Sequence, residues 1–108
     1  MKEIKKTEMM EELRVYMVNT EWVYNAITEI VSEIVKSDSK KATFKHYKRA
    51  ERIAYEAAQE YRAQGFSLGH LGCRQRQAVG REVLNDEIEE AFTFFNRYGH
   101  FSKHLCAD

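Results

Sequence analysis

The chain contains no proline among its 108 residues, although about 5% is the usual share. Proline ends or kinks helices, so its absence leaves long segments free to be helical. Only five glycines are present, and three of them fall between Gly65 and Gly72. The long segments without helix breakers therefore predict an all-α protein.

Apolar residues recur at spacings of three and four from about Glu8 to Lys36, which is typical of a helix that packs against another helix. Thr20 is a reasonable N-cap with an acidic residue after it. We therefore expect a first helix that is either long or broken near Asn19-Thr20. The predicted core positions are Met10, Leu13, Met17, Thr20, Tyr24, Ile27, Val31 and Ile34.

A polar turn at residues 37–39 precedes a second helix, which is predicted to end near Gln64. This helix begins either at Ser39, with two lysines in its first turn, or later at Thr43. Cations are unfavourable at a helix N-terminus, by up to ~1 kcal/mol each. The face predicted to pack inward consists of Phe44, Tyr47, Ala50, Ala54, Ala58 and Tyr61.

Residues 65–73 form the predicted main loop, with Phe66, Leu68 and Leu71 packed beneath it. Beyond the loop we expect two further helices, near residues 74–84 and 86–98. Gly80 and Asn85-Asp86 weaken the helical pattern of this region, and Asp86 with Glu89 matches a capping box. The last helix is predicted to end at Gly99.

The predicted architecture is an all-α bundle of three to five helices. Residues 1–108 form a single domain, in which residues 99–108 are a C-terminal tail. A chain of this length buries about 65% of its unfolded surface, so its stability is modest. The sequence leaves open whether a partner, or self-association as a homo-oligomer, adds further stability.

Charge is segregated along a chain whose formal net charge is zero. Residues 36–53 contain seven basic and two acidic side chains, whereas residues 1–35 and 84–108 each carry a net charge of −3. Because the positive charge is concentrated in one segment, it indicates an anionic partner, either nucleic acid or an acidic protein surface.

The basic residues of this segment are predicted to lie on the helix face opposite the core, at spacings of four, three and four. A solvated face that keeps the bundle soluble is the alternative interpretation. Arg74 and Arg81 are one heptad apart and extend the surface, and Trp22 is an exposed anchor candidate outside the core register. The predicted partner-binding residues are Lys41, Lys45, Lys48, Arg49, Arg52, Arg74, Arg81 and Trp22.

Histidine and cysteine recur at two points, as His70-x2-Cys73 and His100-x3-His104. A mixed set of these side chains suits zinc, so His70, Cys73, His100 and His104 form a hypothetical zinc site. Their spacing matches no established zinc signature, and otherwise no cofactor is indicated.

The alternative to a zinc site is that the tail packs on the rest of the protein through apolar contacts alone. Phe101 and Leu105 are four residues apart, as on one helical face, and would pack on the loop that contains Leu68, Leu71 and Cys73.

The sequence contains no catalytic motif, such as His-Glu-x2-His or Gly-x-Ser-x-Gly. The charged N-terminus and the two cysteines favour a cytoplasmic protein with no membrane partner. These features favour a non-enzymatic protein that docks on a larger assembly, most readily a protein, and regulates or inhibits it. Nucleic-acid binding through the basic helix face at 41–52 is the alternative, and an enzyme that uses one of the four histidines is least favoured.

Overall fold

The computed structural model describes residues 2–69 and 71–101, with side chains from Lys6 onward. Within these residues the chain forms four helices and no strand, which confirms the prediction of a small all-α bundle. The helices are α1 (Lys2–Val18), α2 (Glu21–Lys36), α3 (Phe44–Ala63) and α4 (Cys73–Tyr98).

The first helical segment is broken near Asn19-Thr20, which was one of the two predicted alternatives. The backbone of Thr20 is extended, with φ −104° and ψ 120°. Its hydroxyl donates back to the Tyr16 carbonyl at 2.5 Å instead of capping α2. After the break, Tyr24, predicted to be in the core, is 40% exposed, while the adjacent Val23 is fully buried.

The turn between α2 and α3 uses its polar residues to end one helix and begin the next. Because α3 begins at Phe44, the later of the two predicted starts is confirmed and the lysines precede the helix. The N–H of Thr43 donates to His46 Nδ1 at 2.9 Å. Lys40 has a left-handed backbone, with φ 53°, and its ammonium donates to the Val35 carbonyl at 3.0 Å. This position at the end of α2 suits a cation.

The predicted break between residues 84 and 86 is wrong, because α4 continues without interruption from Cys73 to Tyr98. Gly80 is buried where α4 approaches α3, and a Cβ there would lie 2.5 Å from the Ala50 carbonyl oxygen. The glycine therefore permits close packing and does not end a helix. Asp86 forms an ion pair with Arg14 of α1 instead of capping a helix.

The helix α3 lies antiparallel to both α2 and α4. Tyr47, near the start of α3, donates its hydroxyl to Asn85 Oδ1 at 2.8 Å, whereas the later Tyr55 lies against Arg76. The small alanines predicted on α3 are buried against these neighbours. The buried core consists of Leu13, Met17, Val23, Ile27, Ile30, Val31, Ile34, Val35, Ala50, Ala54, Ala57, Ala58, Leu68, Leu71, Val79, Val83, Leu84 and Ala91.

Two further aromatic residues that were predicted to pack inward are exposed. Phe44 is 74% exposed, because it is the first residue of α3 and lies at the edge of the bundle. Phe66 is 54% exposed, although Leu68 and Leu71 are buried in the same loop as predicted.

The predicted docking of the tail on the 65–73 loop is wrong for Phe101. Its ring stacks on Phe95, with centroids 4.7 Å apart, and meets Phe92 edge-on at 5.4 Å. These residues belong to the last turns of α4, whereas the loop precedes the first turn. Gly99 ends α4 with φ 77°, as predicted. Leu105 lies outside the described residues.

Candidate functional site

The predicted basic residues of α3 and the preceding turn do form a solvent-facing surface. Lys41 and Lys45 are exposed, and the side chains of Lys48 and Arg52 are 56% and 81% exposed. We call these four residues the basic face. The sequence predicted this arrangement because residues three and four apart lie on one side of a helix.

Two glutamates lie beside the basic face and neutralise part of it. Lys48 Nζ is 3.5 Å from Glu51 Oε1, and Arg52 Nε is 3.5 Å from Glu56 Oε2. Arg81 of α4 also reaches Glu51, with 3.5 Å between its Nε and Oε2. The cations of these pairs are solvent-exposed, although the Glu51 side chain is only 13% exposed, and the pairs reduce the positive charge that a partner would meet.

Lys41 and Lys45 differ from the other cations of the basic face. Within residues 6–69 and 71–101, neither ammonium group forms an ion pair. Their full charge is therefore available to a partner, and a substitution there breaks no ion pair of the bundle.

Arg49 faces α2 rather than the basic face. Its Nη1 donates to Glu33 Oε1 at 2.7 Å, and this hydrogen bond lowers the pKa of Glu33 although desolvation opposes the shift. The same hydrogen bond raises the pKa of Arg49. A partner could use Arg49 only by breaking this link between α2 and α3.

The arginines at the start of α4 extend the charged surface unevenly. Arg81 joins it through Glu51, while Arg74 is exposed seven residues earlier, about 10 Å along the helix. Between them, the guanidinium of Arg76 lies over the Tyr55 ring, 5.7 Å from its centroid. The Nε of Arg76 is buried without a hydrogen-bond partner in the described structure.

Two exposed aromatic residues lie among these cations, although neither was predicted to belong to the binding surface. Phe44 is 74% exposed and lies under the Lys48 ammonium, which is 5.3 Å from the ring centroid. Tyr55 is 42% exposed. Tyr55 follows Lys48 by seven residues, so the spacing alone could have placed it on the same side of α3 as the lysines. Phe44 also borders a groove of about 460 Å³ between α3 and α4, which Tyr47 and Arg81 help to line.

Trp22 lies apart from the basic face. It is 36% exposed, as expected for a residue outside the core register, but its Nε1 donates to Glu60 Oε2 at 2.5 Å. Glu60 is close to the end of α3, whereas Phe44 begins that helix. The structure therefore does not bring Trp22 and the start of the basic face together.

The described histidines serve local structure. His46 Nδ1 accepts the Thr43 N–H at the start of α3, and its Nε2 lies 3.8 Å from Glu33 Oε1, beyond hydrogen-bond distance. His100 Nδ1 lies 2.9 Å from the carbonyl oxygen of Phe101. Neither arrangement provides an acid–base pair with a buried carboxylate.

The zinc hypothesis is wrong for a single ion in one chain. Cys73 is the first residue of α4 and His100 follows its last turn, so about 40 Å of helix separates them. A zinc ion holds its ligands at about 2 Å and cannot contact both residues. No cluster of metal-ligating side chains occurs among residues 6–69 and 71–101, and His70 and His104 lie outside them.

Comparisons with protein-family models, curated proteins and solved structures found no match to this chain. Within the part of the chain that the structure describes, none of the helices combines the length and apolar character needed to cross a bilayer.

Proposed function

We propose that this protein is a cytoplasmic, non-enzymatic docking module. In this proposal it binds an acidic surface of a larger protein through the basic face and Phe44. By occupying that site it regulates or inhibits the larger assembly.

The exposure of Phe44 carries the proposal. A phenylalanine that is 74% exposed gains apolar contact only when something covers it, and Lys41 and Lys45 lie close to it in sequence without ion pairs in the described structure. Aromatic side chains are enriched at the centres of protein interfaces, and charged residues lie mainly at the rim. The unpaired lysines would then select an acidic partner.

The glutamates beside the basic face favour a protein over nucleic acid. Duplex DNA carries one negative charge per about 1.7 Å of its axis, so its phosphates would repel Glu51 and Glu56. A protein surface of mixed charge can pair with both the cations and these carboxylates.

Capture of partners from an extract of the producing cells tests the proposal. The wild-type chain is immobilised beside the double variant Lys41→Glu, Lys45→Glu. The control is Arg62→Glu, Arg97→Glu, which changes the net charge equally at exposed positions outside the basic face. We expect the basic-face variant to lose the specific protein partner and the control to retain it, with equal helical circular dichroism. Equal recovery by all three chains would exclude the basic face as the docking surface.

Nucleic-acid binding is the second candidate, because two cations lie over exposed rings. These pairs are Lys48 with Phe44 and Arg76 with Tyr55. Rings flanked by cations can stack on bases while the cations bind phosphates. Fluorescence anisotropy with single-stranded and duplex DNA at two salt concentrations distinguishes this function. Binding to duplex DNA should weaken with a log–log slope of about −0.9 per phosphate contact, and no binding at low salt eliminates the candidate.

A further inference from the structure

A second concave surface lies at the other end of α3 from Phe44. Residues of α1, of the α1–α2 break and of the end of α3 border a groove of about 710 Å³. Its apolar wall consists of Val15, Tyr16, Tyr61 and Phe66. Val15 and Phe66 are 48% and 54% exposed, so the groove offers apolar surface that the bundle itself does not cover.

The rings of this wall are held in place by one another. Tyr16 meets Tyr61 edge-on with centroids 5.0 Å apart, and Tyr61 stacks on Phe66 at 4.9 Å. Gln64 Nε2 donates to the Tyr16 hydroxyl at 3.2 Å, and the Tyr61 hydroxyl donates to Glu12 at 3.5 Å. The groove is therefore formed before a ligand arrives, which lowers the entropic cost of binding.

The described charged residues that line this groove are all acidic. Glu8, Glu11 and Glu12 line the groove, and none of its described lining residues is a lysine, arginine or histidine. Glu8 and Glu11 are exposed and form no ion pair within the described structure. An apolar wall beside exposed carboxylates fits an apolar side chain surrounded by cations. We call these carboxylates and the apolar wall the acidic groove.

The start of α3 has the complementary chemistry. Between Lys40 and Lys48 the chain contains four lysines and no acidic residue, and Phe44 lies among them with 74% of its surface exposed. Lys41 and Lys45 form no ion pair with any described residue. We call Phe44, Lys41 and Lys45 the α3 tip.

The α3 tip and the acidic groove of one chain cannot meet. Phe44 is the first residue of α3, and Tyr61 lies 17 positions later in the same unbroken helix. At about 1.5 Å per residue the two rings are about 25 Å apart along the axis. Any contact between these complementary surfaces must therefore join two copies of the chain.

We propose that the acidic groove of one copy receives Phe44 of a second copy. In this contact Lys41 and Lys45 of the second copy pair with Glu8 and Glu11 of the first. The two surfaces differ, so each copy contributes a donor tip and an acceptor groove to assembly. A single inserted ring buries far less than the ~1,000 Å² of a stable interface, so the association is weak, with a Kd on the order of 0.1–1 mM.

This self-association goes beyond the proposed docking function, and the two share the α3 tip. A partner bound at the tip would displace the second copy. The two proposals remain separable, because self-association is measured on the purified chain alone, and partner capture is measured at concentrations too low for it.

Sedimentation velocity of the full-length protein tests the contact. At low salt the average mass of the wild type should rise between about 10 µM and about 1 mM. High salt should weaken the association about tenfold, because it screens exposed ion pairs. A wild type that remains monomeric over this range would overturn the proposal.

A charge exchange identifies the surfaces involved. Two double variants reverse the charge of one surface each: Lys41→Glu with Lys45→Glu, and Glu8→Lys with Glu11→Lys. Each double variant should lower the association constant at least about tenfold, because like charges then face each other. Combining all four substitutions keeps the formal net charge at zero and should restore association to within about threefold of the wild type. Doubles that associate like the wild type, or a combined variant that does not recover, would overturn the proposed pairing.

A second pair of variants tests the role of the inserted ring. Phe44→Ala should abolish the concentration dependence without changing the fold, because this side chain is largely exposed. Tyr98→Ala removes another exposed ring, 56% exposed at the end of α4, and should associate like the wild type. Equal behaviour of the two variants would also overturn the proposal.

Discussion

Replacement of Gly80 by alanine tests whether α3 and α4 pack as closely as the structure shows. A Cβ at this position would lie 2.5 Å from the Ala50 carbonyl oxygen and 2.9 Å from the Ala54 Cβ. Both distances are well inside ordinary contact, which begins near 3.5 Å. Because the nearest atom belongs to the backbone, a side-chain rotation cannot relieve the clash, and the helices must move apart.

Two opposing terms set the size of this effect. Overpacking of a core typically costs about 1–3 kcal/mol, whereas alanine gains about 1 kcal/mol of helix propensity over glycine. Since the clash at Gly80 involves backbone, we expect the upper part of the overpacking range. The net loss in the free energy of unfolding is then about 1–2 kcal/mol.

Urea denaturation followed by circular dichroism measures the difference. The control is Thr93→Ala at an exposed position of α4, which should change the free energy of unfolding by less than about 0.5 kcal/mol. If Gly80→Ala instead stabilised the protein by about 1 kcal/mol, propensity alone would be acting and the close approach of the helices would be refuted.

Three further substitutions probe the core and the ionisable groups by the same denaturation assay. Leu13→Ala empties a fully buried position and should cost about 2–5 kcal/mol. The pKa of Glu33 is lowered by Arg49, so its contribution is present above pH 4.5 and is lost as pH falls through its folded-state pKa. Glu33→Gln should therefore remove this acid sensitivity and cost less than about 1 kcal/mol at neutral pH, because the pair is screened by solvent. Burial and Glu90 raise the pKa of Glu87, so deprotonation penalises the fold as pH rises through that pKa. Glu87→Gln should slightly stabilise the protein at pH 7 and leave its stability unchanged near pH 3.

The helical class and the core of α2 follow from local periodicity. Ile27, Val31 and Ile34 are buried where the three–four spacing places them. The break at Thr20 was one of two open alternatives, because a possible N-cap and a continuous heptad register point in opposite directions there. In the structure the helix breaks there, and the Thr20 hydroxyl donates a hydrogen bond to the Tyr16 carbonyl of the preceding helix.

Features that depend on packing between helices could not be predicted from the local sequence pattern. Asp86 with Glu89 resembles a capping box in the sequence, but Asp86 pairs with Arg14 of α1, so α4 was divided in error. Gly80 likewise weakens the helical pattern until Ala50 is seen against it. The neutralisation of Arg81 and Lys48 by Glu51 requires the register of α3 against α4. The acidic groove combines residues of α1 with the end of α3, which are about 50 positions apart in the chain, and no spacing rule connects them.

Amine labelling of the captured complex tests docking through the basic face most directly. The chain is kept below about 10 µM, where self-association is negligible, and its lysines are modified free and partner-bound. Binding through the basic face predicts that Lys41 and Lys45 react several-fold more slowly in the complex, while Lys6 of α1 reacts as in the free chain. Equal labelling of Lys41 and Lys45 in the two states would contradict docking through this surface.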